Sequence, residues 1–232
     1  MTDPTPLAAG NFSAWLEEVQ AAIAGEAAAD VPCGGCTACC TSSQFIHIGP
    51  DETDTLSHID PNLLVPAPRL ARGHVVLGYD EQGHCPMLID NACSIYEHRP
   101  RTCRTYDCRI FPAAGIEPGD DKIDIGNQTQ RWRFGHPSAN DQAHHDAVRA
   151  AAAFVRAHAE VVPDTVSTSS STQVAVLAIR AHEAFLSRDD SGNAVVVHPT
   201  ADEVRVAITR PTAAPTLLAP PRRRPLRADR SR

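Results

Sequence analysis

The chain has 232 residues, 42% hydrophobic and 5% aromatic, with 28 acidic against 21 basic side chains and a formal net charge of −7. That length can bury a core as one domain, or one plus an appendage. No apolar run reaches the roughly 18–20 residues of a membrane span, and Met1-Thr2-Asp3-Pro4 opens with neither a basic nor an apolar signal region. The expected location is therefore the cytoplasm, with no membrane partner. From Pro211 onward six Arg face one Asp, which leaves about −12 on residues 1–210. An acidic body speaks against nucleic-acid binding by the folded part, whereas the basic tail reads as a disordered end able to touch nucleic acid or an acidic partner.

Phe12, Trp15, Leu16, Val19 and Ile23 recur at helical spacing and predict a helix over 11–29, ended by Asp30-Val31-Pro32. Phe45–Ile48 reads as a short strand. Pro50-Asp51-Glu52 predicts a helix to about Ile59, with proline near its first position and acids in its first turn. The Pro-rich stretch 61–71 reads as irregular, His74–Tyr79 as a strand, and Asp80–Gly83 as a turn delivering the chain to Cys85. Ser94 and Glu97 fit a capping box, and Pro100 suits the first turn of a short helix carrying Cys103 and Arg104. Gly and Pro through 111–136 predict mostly loop, with a strand near Lys122–Ile125. An Ala-rich helix follows over Pro137–Glu160, then a linker to Ser171. Thr172–Arg188 reads as a second helix, with Val174, Leu177, Ala181 and Phe185 on one side. Ala194–Val197 reads as a strand, and Thr200 with Glu203 as a capping box opening a helix to about Ile208.

These elements make an α+β fold. A small irregular cysteine-rich module over 30–110, whose thiols are expected to bind metal, is predicted between an N-terminal helix (1–29), a loop and helical extension (111–210) and a disordered basic tail (211–232).

Cys33, Cys36, Cys39 and Cys40 crowd into eight residues; Cys85, Cys93, Cys103 and Cys108 follow, and none comes after. All eight are expected metal ligands, because such usage in a reducing compartment points to metal rather than disulfides. Gly34 and Gly35 permit the chain to wrap tightly round a metal. Cys39 and Cys40 are neighbours whose side chains diverge, so they need not hold the same ion. Zinc sites usually join two CxxC knuckles, and this chain has one such region. Iron–sulfur proteins use C-x2-C-x2-C with a remote fourth cysteine, often before Pro. Cys33, Cys36 and Cys39 with Cys85-Pro86 share that outline. A 4Fe–4S cluster ranks ahead of zinc, with both open. Electron transfer or redox sensing, with a redox or protein partner, follows most simply from a cluster. The alternatives are a cluster-dependent protein-modifying enzyme and an adaptor folded around structural zinc.

Arg99, Arg101, Arg104 and Arg109 interleave with Cys103 and Cys108 and read equally well as a cationic collar or a solvated face. His47, His84 and His98 lie near cysteines as substitute ligands, while His144 and His145 read as exposed. Trp132 reads as a packing residue, with cleft lining as the alternative, and Asp120, Asp121 and Asp124 as an exposed acidic turn. No GxSxG, GxxxxGK, HExxH or GxGxxG occurs, and no catalytic residue is assigned.

Cys-x2-Cys-x2-Cys-Cys at 33–40, Cys85-Pro-Met-Leu, and Cys93-Ser-Ile-Tyr-Glu-His-Arg-Pro-Arg-Thr-Cys103-Arg together resemble the YkgJ-type cysteine-cluster family of zinc- or iron-chelating domains. The resemblance covers about residues 30–110. It implies chelation through Cys33, Cys36, Cys39, Cys40, Cys85, Cys93 and Cys103, and leaves the metal open. Cys108 sits where many members have no cysteine. A related cluster in flagellin lysine methylases is what brings in the enzyme alternative.

Overall fold

The computed structural model describes residues 5–24, 31, 33, 35–68, 70–163, 168 and 170–210. β1 (Leu7–Asn11) leads into α1 (Phe12–Ala24), which buries Phe12, Trp15, Leu16 and Val19 as their spacing predicts. The expected continuation of that helix to 29 lies outside the described residues, as does the tail from 211. Beyond the cysteine loop come β2 (Ile46–Ile48), α2 (Thr53–Ser57), β3 (Leu64–Pro66), β4 (Val75–Leu77) and the paired β5 (Leu88–Ile89) and β6 (Ala92–Cys93). α3 (Arg101–Thr105), α4 (Ile110–Ala114) and α5 (Ile123–Thr129) follow, and β7 (Trp132–Gly135) returns to pair in parallel with β1. α6 (Ala139–Ala157), α7 (Ser171–Ala181), β8 (Leu186–Arg188), β9 (Ala194–Val196) and α8 (Ala201–Thr209) complete the α+β fold.

Among the described residues two apolar cores result. In the larger one, α1, α4, α6, α7 and α8 converge on Phe12, Phe111, Val148, Val155, Ile179 and Val204, all essentially inaccessible to solvent. Small residues such as Ala147, Ala151, Ala175 and Ala178 let α6 lie close along α7. The smaller core gathers Ile48, Ile59, Leu77 and Ile95 beside an antiparallel sheet of order β2-β4-β3.

Several sequence expectations shift. The helix predicted from Pro50 begins only at Thr53, because the Glu52 carboxylate turns inward and accepts from the Gly49 and Arg101 amides. Within the stretch read as irregular, Leu64–Pro66 pairs with β4. No side chain caps the Tyr96–His98 turn, so Ser94 and Glu97 form no capping box. The stretch 111–136, read as mostly loop with a strand near Lys122–Ile125, instead holds α4, α5 and β7, and Ile123–Thr129 is helical. Burial of Ile110, Phe111 and Ile125 outweighs the glycines and prolines, and Gly115 (φ 65°) ends α4 in the left-handed region. The helix predicted to Arg188 stops at Ala181, followed by a 3₁₀ turn over His182–Phe185 and then β8, which pairs with β9. The capping box expected at α8 (Thr200 with Glu203) is formed, and α6 opens on a further one (Ser138 with Asp141).

His145, expected to be exposed, is only 5% accessible. Its ring stacks on Phe12 at 4.2 Å between centroids, and Nδ1 lies 2.7 Å from His136 Nε2. Burial, and then the Arg149 charge, pulls its pKa from 6.5 down to about 4. The folded chain thus keeps this ring neutral where the unfolded chain protonates. Its contribution to stability is complete above about pH 6.5 and is lost as pH falls toward about 4. Thermal melts across that range should show His145→Gln losing less stability on acidification than the wild type.

Candidate metal centre

The Cys33–Cys40 loop is built by local turns. The Cys36 amide donates to Cys33 O at 3.0 Å, and a helical turn closes where the Cys40 and Thr41 amides donate to Thr37 O at 2.8 and 3.1 Å. The Val31 amide donates to Arg104 O at 2.7 Å, tying the loop's start to α3. The far end zips onto the segment leading to Cys85: Cys85 N donates to Cys40 O at 2.7 Å, and Ser43 N to Gly83 O at 2.9 Å. Gly83 adopts φ 83°, which favours glycine, and a Cβ there would meet the Ser43 hydroxyl. Lys122, whose position carried no message in the sequence, donates from Nζ to Ser42 O at 2.8 Å and Ser43 O at 3.2 Å. Thr41 Oγ1 donates to Asp124, so one residue of the expected acidic patch also anchors the loop.

The later cysteines arrive on separate elements. Asp90 and Asn91, both at positive φ (50° and 58°), make the tight hairpin turn between β5 and β6 that presents Cys93 opposite Leu88. That Asp-Asn pair was a legible hairpin signal the sequence reading missed. Cys103 rides on α3, whose Thr102 Oγ1 donates to His47 O at 2.7 Å. Cys108 sits beside the buried Asp107 carboxylate, which accepts from Trp15 Nε1 at 2.8 Å and from the Arg109 guanidinium at 2.7 Å. Trp132 Nε1 donates to Cys108 Sγ at 3.3 Å.

All eight cysteines line one cavity of about 870 Å³, whose walls include Ile125 of the larger core and Leu77 and Ile95 of the smaller. Every cysteine is half-buried and none is in a disulfide. Among the described residues, no three of these thiols lie within 4.8 Å of one another; the one group that tight is Asp54, His58 and His98, outside the cavity. None of His47, His84 and His98 lines the cavity: His47 pairs with His74 at 2.9 Å, and His98 Nδ1 lies 2.9 Å from Asp54 Oδ2. The expected arginine collar divides. Arg99 and Arg109 line the cavity, whereas Arg101 turns out to Asp51 at 2.6 Å and Arg104 is not among the lining residues. Arg131, which the sequence reading passed over, also lines it, and Trp132 takes the cleft-lining role.

The electrostatics follow from burial. Desolvation, then repulsion from Cys85 and Cys93, pushes the Cys40 thiol up to about 12. Desolvation, then Cys85 and Cys40, pushes Cys103 up to about 12. Cys108 rises to about 11, chiefly by burial and in spite of the Trp132 hydrogen bond. Cys39 rises further still, by burial and then by Cys108 and Cys33, and Cys85 rises by burial. Such thiols cannot ionise together alone. A soft cation removes that obstacle, and thiolate is the donor it prefers. The donor set therefore fits a thiophilic metal.

A cavity walled by cysteines at the junction of two small cores defines a metal-binding protein. Residues 32–130 match the family model CxxCxxCC, described as "Putative zinc- or iron-chelating domain". Over that stretch the chain is similar to this domain. The match runs past the expected limit near 110 and takes in α5, which contributes Ile125 and follows directly on Lys122. Searches of curated proteins and of solved structures returned no match.

Lys122→Met should lower thermal stability by about 1–3 kcal/mol, because two half-buried carbonyls lose a charged donor. Denaturant unfolding of the full chain measures that loss, and Lys122→Arg should recover part of it.

Proposed function

We propose that the cavity holds iron–sulfur chemistry and that the protein transfers or senses single electrons in the cytoplasm. The observation that carries this reading is the spread of the thiols. Four Zn–S bonds of about 2.3 Å at tetrahedral angles bring thiolates to about 3.8 Å of one another. Here no three described thiols approach even within 4.8 Å, yet all eight face one cavity of about 870 Å³. A cluster core, with several irons and inorganic sulfides between the cysteines, suits that wider spacing.

When bound, a cluster supplies one-electron redox chemistry. The chain's residues do the rest. Cys33, Cys36, Cys39, Cys40, Cys85, Cys93, Cys103 and Cys108 are the proposed ligands, held by the loop, the β5–β6 hairpin and α3. The Trp132 N–H on Cys108 Sγ withdraws charge from that sulfur, the kind of hydrogen bond that raises a cluster's potential. Half-burial keeps the sulfurs near the surface, within reach of a redox partner.

Anaerobic purification followed by iron, sulfide and zinc analysis tests the proposal. The expected product is brown and contains iron and sulfide in equal amounts. A colourless protein holding zinc alone would overturn it in favour of a zinc-folded adaptor. In the loaded protein, Trp132→Phe should move the midpoint potential to a more negative value, read by redox titration.

A further inference from the structure

We infer that the eight thiols form two separate four-thiol centres: Cys33, Cys36, Cys39 and Cys108 in one, and Cys40, Cys85, Cys93 and Cys103 in the other. The inference rests on reading the cavity as a metal site, and it makes Cys108 an essential ligand.

The dividing line falls between two adjacent residues. Cys39 and Cys40 lie in the helical turn closed on Thr37 O, and successive residues of a helical turn point about 100° apart. The two side chains therefore leave the backbone toward different walls. Cys39 packs with Ala38, Tyr106 and Cys108 against the larger core. Cys85, Cys93 and Met87 pack against the smaller one. The backbone repeats this division. Cys40 O accepts from Cys85 N, Leu88 N donates to Cys85 O, and Cys93 lies opposite Leu88 in the hairpin. Cys103 joins that side because α3 is fixed to β2 through Thr102 and His47. On the other side, Cys108 is held by Trp132 of β7 and by the Asp107–Trp15 contact to α1, all attached to the larger core.

The sequence acquires a matching logic. Cys33-x2-Cys36-x2-Cys39 supplies three ligands and Cys108 the remote fourth. Cys40 belongs to the second centre, just as the last cysteine of a ferredoxin run ligates the other cluster. With four protein ligands at each centre, no coordination position is left open for a substrate, which favours electron transfer over covalent modification of another protein.

The test uses the full chain, loaded anaerobically with ferrous iron and sulfide, with iron and sulfide counted per chain and the reduced form examined by electron paramagnetic resonance. The wild type should hold about eight irons and eight sulfides, as two four-iron clusters, and its reduced spectrum should show two interacting spins. Cys108→Ala and Cys93→Ala should each retain about half the iron and give a simple single-cluster spectrum. Cys39→Ala combined with Cys108→Ala should still retain half, because both changes strike one centre, whereas Cys93→Ala combined with Cys108→Ala should retain none. If Cys108→Ala does not fold, Cys108→His keeps a ligand atom and should restore the full metal count; failure to do so overturns the partition. One cluster in the wild type, or full iron in a folded Cys108→Ala chain, also overturns it. If the chain takes up only zinc, two zinc ions falling to one in Cys108→Ala sustain the partition while removing the iron reading; a chain that takes up neither metal removes both.

Discussion

Eight half-buried thiols around one cavity create an electrostatic problem that the polypeptide alone does not solve. Each deprotonation would place a negative charge in a poorly solvated site beside other sulfurs, and the cost rises with every neighbour. Among the lining guanidiniums, Arg109 already serves Asp107. A metal centre supplies the missing positive charge at the point of repulsion. Binding is then coupled to the arrangement of this region, since the ligands come from a loop, a hairpin and a short helix.

The fold meets that demand by setting two cores on either side of the cysteines. The larger helical core presents Cys39, Cys108 and Tyr106 at its edge, with Trp132 hydrogen-bonded to Cys108. Among the described residues the smaller core gathers four buried apolar side chains, and its sheet is three short strands. It is steadied by polar stitches that cross the cysteine region: Lys122 to the Ser42 and Ser43 carbonyls, Thr102 to His47, and Glu52 to the Arg101 amide. Each long-range hydrogen bond contributes about 1 kcal/mol, and together they fix where the sulfurs stand.

Much of this was legible beforehand. The stripe on α1, the capping box of α8 and the turn before Cys85 express local rules of period, cap and turn, which operate within a few residues. The misreadings have a common cause. The Gly- and Pro-rich 111–136 stretch folds as α4, α5 and β7 because Phe111 and Ile125 are taken up by a distant core and β7 finds its partner in β1. The second helix stops at Ala181 because the next residues turn into the β8–β9 hairpin. His145 is buried because Phe12, far away in sequence, stacks on it.

The sequence by itself determined the type of donor, since cysteine number and spacing already point to a metal held by thiolates. Tertiary structure alone decided the geometry. Only in the folded chain does the single lysine become a clamp, the indole of Trp132 reach Cys108, and Cys39 pack against the larger core while Cys85 and Cys93 pack against the smaller. Ligand type is a property of the side chain and is written residue by residue, whereas the distance between sulfurs dozens of positions apart depends on how two cores pack.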